Sequence, residues 1–442
     1  MAIDYHDLTA ITDTLKNVYG VGITNQFADE TTTYNQFPKS DRETKGKGYV
    51  FSIRYARAQG TGARGESQKL PDPLVGKFDQ GLITPKYIYG SIRLTGPMIE
   101  AAKSYVPAFV DGLADAVDDI YQSIVVDLNR MAWNDGFGAI GTLSALSDTL
   151  EADAGQGTWT VPMDNDVGVR YAKPGMLVDF FEAGAIDESS VASRIYSVDP
   201  TAKTIEMEEN TGDYKTNHPS STFAGYSIAE ATVASAAVMV KMGSRQDVSW
   251  TTASTSYEMM GLEGIYDDDT LLASFEDIDT GDFPAWRANV LGNSSVNREL
   301  SMDLMLQALD LTRMVSGGKA MKMRMGLGQR RKYANLLMPD VRFQPTVLKG
   351  GYETLTFAGG DGTVQIVIDP MAQPNKIYFE PGGTIQRYEM SPLEWGNVDQ
   401  QWHQRAGYDE WDAFLRIYTN LGTEQRNNLT LLKDLVEPNL YT

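Results

Sequence analysis

Tyr49-Val-Phe-Ser-Ile-Arg-Tyr-Ala56, Lys86-Tyr-Ile-Tyr-Gly-Ser-Ile-Arg-Leu-Thr95 and Pro107-Ala-Phe-Val-Asp-Gly-Leu-Ala-Asp-Ala-Val-Asp-Asp-Ile-Tyr-Gln-Ser-Ile-Val-Val-Asp-Leu-Asn-Arg-Met-Ala-Trp133 follow one another in this 442-residue chain. In the first stretch Phe51, Ile53 and Tyr55 share one face. The second is dense in Tyr87, Ile88, Tyr89 and Ile92, and both predict strands. About thirty residues separate them, punctuated by Gly60, Gly62, Gly65, Pro71, Pro73, Gly76 and Gly81, against about two to five in an ordinary hairpin loop. A two-stranded arm of this kind buries too little to hold itself together in water, so it is expected to lie on a neighbouring subunit.

The third stretch predicts one long amphipathic helix. Val106, Phe109, Val110, Leu113, Val117, Ile120, Ile124, Val125, Leu128 and Met131 recur at three- and four-residue steps, while Asp111, Asp115, Asp118, Asp119 and Asp127 line the other faces. Pro107 suits a first turn, where no N–H is needed, and Gly136 follows the end. The span comes to about 40 Å at 1.5 Å per residue, a spine for a domain. A long surface helix of an ordinary enzyme is the competing reading.

Taken in order, the N-terminal arm, the extended loop between Tyr49 and Leu94, the run Ile88 to Thr95 leading into the long helix, and the strand Tyr408-Asp-Glu-Trp-Asp-Ala-Phe-Leu-Arg-Ile-Tyr418 resemble the major capsid proteins of tailed bacteriophages. The resemblance implies an α+β chain with the Hong Kong 97-type fold. It divides into an N-terminal arm (1–47), an E-loop hairpin (48–95), a P-domain with the spine helix (96–149), an A-domain (249–370) and C-terminal strands (371–442) that return to the P- and A-domains. It also implies a non-enzymatic subunit that assembles with itself into pentamers and hexamers of an icosahedral head, enclosing double-stranded DNA without sequence-specific binding. Such a shell is a virion component assembled in the host cytoplasm, with a portal and a decoration protein as partners. No long charged coiled coil precedes the arm, so a separate scaffolding protein is expected. An encapsulin-like compartment shell shares the fold, although encapsulins resembling it are shorter. From another class, 22 tyrosines, seven tryptophans and many carboxylates suit a carbohydrate-active enzyme or binding module, which needs two carboxylates across a cleft.

Composition narrows the field. Basic and acidic residues number 38 and 59, a net charge of −21, which opposes coating nucleic acid by phosphate neutralisation. A container for a polyanion gains from a non-adhesive interior, and acidity also serves plain solubility. Cysteine is absent, which excludes disulfides and thiolate metal sites. Met1 to Asp13 carries no apolar run and no stretch reaches membrane-spanning length, so neither a signal peptide nor a membrane anchor is expected.

Leu8, Ile11, Leu15 and Val18 predict a short helix ending at Gly20, followed by a polar loop from Asn25 to Lys47. Between 150 and 248 the short runs Trp159 to Val161, Met176 to Phe181, Arg194 to Val198 and Thr204 to Met207, with the turn Asp199-Pro-Thr-Ala-Lys203, predict a β-rich module, a small barrel or sandwich. It reads as an insertion, with an ordinary sheet of the parent fold as the alternative. Helices are predicted over Val296 to Val315, stopping at Gly317-Gly318, and Gln329 to Met338; strands are predicted over Thr354 to Phe357, Val364 to Ile368, Lys376 to Ile385 and Trp411 to Leu421.

Chemical motifs are sparse. Gly60-Thr-Gly-Ala-Arg-Gly65 matches G-x-G-x-x-G, but Pro71 and Pro73 follow where a phosphate-binding helix should begin, so the glycines read as flexibility at the tip of the arm. His6, His218 and His403 form no ligand pattern. Asp277-Ile-Asp-Thr-Gly-Asp282 departs from a calcium loop, with Ala288 where the bidentate glutamate belongs, and Asp267, Asp268 and Asp269 suit a solvated acidic loop better than a cation site. No catalytic residue, cofactor or metal is expected. Charge is segregated, however: Glu258 to Asp282 holds nine acids and no base, and Lys319 to Lys332 holds Lys319, Lys322, Arg324, Arg330, Arg331 and Lys332 and no acid. Such patches can steer and register identical subunits across an interface, pair within the chain, or simply face water. The residues expected at assembly interfaces are Gly60, Gly62, Arg64, Gly65 and Lys69 in the loop, Asp267 to Asp269, and Arg330 to Lys332.

Overall fold

A computed structural model describes residues 33–42, 46–73, 75–97, 112–144, 158–182, 185–186, 193–208, 238–245, 256–337, 356–359, 362–396, 403–404 and 407–438. These fall into two compact units, one drawn from 89–124 and 395–415, the other from 30–88, 125–394 and 416–442. The helix predicted over Leu8 to Val18 and the first turns after Pro107 lie outside the described residues.

The first described segment is mostly irregular, as its polar sequence suggests, but it is packed into the second unit. α1 (Thr33–Gln36) and the residues after it thread through the second unit. The Thr33 and Tyr34 amides both donate to Asn129 Oδ1 at 3.1 Å, and the Thr33 hydroxyl donates to Asp369. The Tyr34 hydroxyl donates to Thr419, and Phe37 is 1% exposed beneath the Arg324 guanidinium. Polar residues here mark a buried hydrogen-bonded threading and not a solvated loop.

β1 (Tyr49–Ala56) pairs antiparallel with β2 (Lys77–Ile83), Tyr49 opposite Ile83 and Ala56 opposite Lys77. The arm is therefore closed by β2 and not by β3 (Lys86–Thr95), which joins another sheet, and its loop shortens to 57–76. β3 alternates as its sequence predicts, Ile88, Gly90, Ile92 and Leu94 inward and Tyr87, Tyr89 and Arg93 outward. Within the first unit, α2 (Gly112–Trp133) comes close enough to β3 that a Cβ on Gly90 would stand 2.5 Å from Ile124 Cδ1. Further along α2, Leu128 and Met131 of the predicted stripe are buried, but so are Asn129, Arg130, Ala132 and Trp133, so this end of the helix is enclosed on all faces. Asp127, expected on an outer face, is instead ion-paired with Arg130 and Lys241.

β4 (Ala139–Thr142), β5 (Thr158–Pro162), α3 (Asp166–Tyr171), β6 (Leu177–Glu182), β7 (Ala185–Ile186), β8 (Ser193–Asp199), β9 (Thr204–Glu208) and β10 (Val238–Lys241) follow. Their strands form one seven-stranded sheet in the order β4-β10-β6-β8-β9-β5, with β7 beside β6. The two edges meet again through the bridge Leu143↔Met163 and the bond from Ser144 N–H to Pro162 O, so the sheet curls into a small barrel. Val161, Val178, Phe180, Ile195, Ile205 and Met239 are buried. Asp199 turns the chain between β8 and β9 by accepting the Thr201 and Ala202 amides, and Lys203 takes φ 57°.

α4 (Leu262–Ile265), the hairpin of β11 (Ser274–Phe275) and β12 (Ile278–Asp279), β13 (Asn289–Leu291), α5 (Met302–Ser316), β14 (Lys322–Met325), α6 (Leu327–Leu337), β15 (Thr356–Gly359), β16 (Gly362–Ile368) and β17 (Ile377–Glu380) lead into the C-terminal strands. α5 starts six residues later than predicted because the Ser301 hydroxyl caps it by accepting the Leu304 amide, and it ends at Gly317 in the left-handed conformation. Β-strand propensity from Lys376 onward is interrupted by Pro381-Gly-Gly-Thr384, with Gly383 at φ 78°, so the predicted strand becomes β17 and β18 (Ile385–Trp395) in two different sheets. β19 (His403–Gln404) and β20 (Glu410–Thr423) join β18 in the order β18-β20-β19, with β3 also on β20. β21 (Thr430–Leu432) completes a six-stranded mixed sheet, β13-β21-β17-β14-β16-β15, packed around Met305, Met323, Tyr333, Ile366, Phe379 and Leu432.

Candidate assembly surfaces

The β1–β2 hairpin has a seated base and an exposed blade. Phe51 is 6% exposed, its ring centroid 5.7 Å from that of Trp286; a Cβ on Gly81 would stand 2.4 Å from Phe51 Cζ, so only glycine admits the ring. The Trp286 indole donates to Phe275 O, and Tyr55 lies 4.7 Å from Phe283. Tyr49 stacks on Tyr388 at 5.3 Å and donates its hydroxyl to Glu424. Leu82 N–H donates to Glu276 O at 2.8 Å. On the opposite, outward face of the hairpin Val50 and Phe78 stand 56% and 59% exposed, with Arg54 over the Phe78 ring.

At the tip, the residues named from sequence make a local turn. Gly65 N–H donates to the Gln68 side chain and Gln68 N–H to Gly65 O; Arg64 donates to Ala63 O and Lys69 O; Lys69 pairs with Asp72 at 2.8 Å. Gly60 and Gly62 are exposed, as are Leu70 and Val75.

Several charged side chains of both runs are committed within the chain, the intrachain pairing that the sequence left open. Asp267 is 6% exposed and accepts the amides of Asp269, Leu271 and Leu272 and the Thr270 hydroxyl, so it organises its own turn. Asp269 pairs with Arg287 at 2.6 Å and Asp268 accepts from Thr270. Of the same acidic run, Glu258 holds Arg130 and Glu263 holds Lys376 and the Tyr378 hydroxyl. On the basic side Arg324 is fully buried against Glu380, and Lys332 pairs with Glu299 at 2.6 Å. Arg330 and Arg331 are exposed on α6.

Two buried electrostatic groups hold the scaffold behind these surfaces. Arg130 reaches both oxygens of Glu258, at 2.6 and 3.1 Å, and also Asp127. Burial alone would lower its pKa, but Glu258 and Asp127 outweigh that and raise it; Asp127, desolvated yet facing Lys241 and Arg130, is lowered. Asp135, just past α2, is pushed up to about 7 by burial, with Glu263 and Glu258 adding to the rise.

Glu276 is a residue that sequence reasoning missed. It and Asp277 form the two-residue turn between β11 and β12 at φ 53° and 66°, a conformation usually given to Asn-Gly. Left-handed backbone at each costs about 1–2 kcal/mol, so the side chain must be wanted there. Its Oε1 accepts the Thr423 amide at 3.0 Å; Oε2 is shielded and has no hydrogen-bond partner among the described residues. No local pattern announces this, because its partners lie far away in sequence.

Among the described residues no cluster of three histidine or acidic side chains could hold a metal ion, and no helix is long and apolar enough to cross a membrane. Asp279, from the rejected calcium loop, accepts the Gly281 and Asp282 amides of its own turn.

No family model and no curated protein matches the sequence. Solved structures do match over nearly its whole length. The cyanophage A-1(L) capsid asymmetric unit aligns at TM-score 0.56 and 12% identity, over 96% of this chain and 98% of that one. The capsid of the native GTA particle aligns at TM-score 0.51 and 8% identity, over 98% and 100%. Identities this low speak to architecture alone: the chain has the α+β, Hong Kong 97-like fold of phage capsid subunits.

Proposed function

We propose that this chain is the major capsid protein of a tailed bacteriophage, self-assembling into the icosahedral head that encloses double-stranded DNA. The observation that carries the reading is end-to-end correspondence with capsid subunits, with neither chain leaving a separate domain unmatched. The physical role is assembly and not catalysis. Subunits form pentamers and hexamers, the exposed blade of the hairpin with Val50 and Phe78 lies on a neighbour, and the tip with Gly60, Gly62, Arg64, Gly65 and Lys69 makes the distal contact. Arg330 and Arg331 meet acidic side chains of an adjacent copy. A net charge of −21 keeps the packaged polyanion from adhering to the shell. A separate scaffolding protein, a portal and a decoration protein complete the head, which forms in the host cytoplasm. Electron microscopy of the expressed chain, alone and with its scaffolding partner, tests this: closed shells or capsomers support it, and a small monodisperse particle under both conditions refutes it.

A further inference from the structure

We propose that Glu276 is an ionisable latch for the base of the β1–β2 hairpin: neutral, it keeps the hairpin seated, and ionised, it releases it. The latch belongs to the single subunit and holds whether or not copies close into a shell.

The turn carrying Glu276 is tied to the hairpin by backbone and to the scaffold by side chain. Its carbonyl accepts the Leu82 amide at 2.8 Å, and its Oε1 accepts the Thr423 amide at 3.0 Å. The fit is close: a Cβ on Gly422 would stand 2.7 Å from Glu276 Oε1 and 2.6 Å from Ile83 Cδ1, so carboxyl, strand end and hairpin base occupy one packed spot. Two consecutive left-handed residues, Glu276 and Asp277, leave the turn poised to relax once the side chain is no longer held.

The surroundings favour the neutral acid. Burial raises the carboxyl well above its ordinary range; the Thr423 amide and Arg426 oppose that, and Glu424 adds to it. Arg426, from the turn Arg426–Asn428, also has a shielded Nη1 with no hydrogen-bond partner among the described residues, and its Nε and Nη2 are held by Ile265 O and Gly264 O. Tyr388 on β18 also feels the Glu276 charge, and the β2 residues beside the carboxyl, Leu82 and Ile83, are apolar. A carboxylate formed here must reach water or Arg426 Nη1. In the latch the 275–278 turn moves with it, and the Leu82 amide loses its acceptor.

Because the seated pKa is raised, seating is complete at acid pH and weakens as pH rises from the ordinary glutamate range toward the raised value. Hydrogen exchange of full-length unassembled subunits, corrected for intrinsic rates, reads this directly on peptides covering 49–56, 77–83 and 420–426. Protection there should fall by about tenfold per pH unit above pH 5, while β16 peptides stay constant. Glu276→Gln, which keeps the acceptor for Thr423, should hold protection flat across pH; Asp282→Asn, which removes an exposed carboxylate of the same acidic run, should leave the wild-type slope. A flat wild-type profile, an unchanged slope in Glu276→Gln, or loss of the slope in Asp282→Asn overturns the proposal.

Discussion

Replacing Phe51 by alanine should unseat the hairpin while the rest of the subunit stays folded. Phe51 is almost fully enclosed by Trp286, Ile278 and the Gly81 backbone, and truncating such a ring costs about 3–5 kcal/mol. What remains at the base is smaller. The Leu82 to Glu276 hydrogen bond contributes about 1 kcal/mol net, and the Tyr55–Phe283 and Tyr49–Tyr388 ring pairs about 0.5–1.5 kcal/mol each beyond their burial. Those terms must oppose the entropy of ordering two strands, so the hairpin opens locally before the mixed sheet is affected. At about 1.4 kcal/mol per decade, exchange of the β1 and β2 amides should quicken roughly 10²- to 10³-fold. Amides in β14, β16 and β17 should change by far less, and shell formation should fail. Native-state hydrogen exchange by mass spectrometry decides the matter. If β1 and β2 quicken only in step with β16, the hairpin is not a separately seated unit and Phe51 is an ordinary member of a common core.

Arg130→Met leaves Glu258 and Asp127 without their buried partner and should destabilise the subunit by about 3–5 kcal/mol in urea unfolding; adding Glu258→Leu should restore a measurable part of that. Asp135, raised to about 7, contributes fully at acid pH and loses its contribution as pH climbs from about 4 toward 7, so the wild-type urea midpoint should drop between pH 5 and pH 8 more than that of Asp135→Asn, which keeps the acceptor for the Phe137 amide. Deleting 60–76 removes a tip whose bonds are nearly all internal, so circular dichroism and the urea midpoint should barely change while sedimentation shows loss of shells; shells of normal stability would remove the tip from the assembly contacts.

Sequence periodicity reaches as far as one element and its nearest neighbour. β3 was legible because a regular inside–outside alternation needs only the strand itself, and α5 ended where Gly317 supplies the left-handed stop. β2 was not, because its inward position Gly81 carries no side chain; the apolar mass that position requires comes from Phe51 on the partner strand. Charge counting has the same limited reach. Six cations and no acid in 319–332 look like a surface patch, yet Arg324 faces Glu380 across the β14–β17 pairing and is fully buried. An unpaired guanidinium there would be prohibitively costly, so folding withdraws Arg324 from the apparent patch and pairs it with Glu380. What remains outside is Arg330, on an exposed face of α6. Reversing it to glutamate should therefore leave the unfolding free energy within about 0.5 kcal/mol of wild type. Shell assembly, followed by light scattering at low and high salt, should slow and lose part of its salt dependence. A large loss of stability in that variant would place Arg330 among the folding contacts instead.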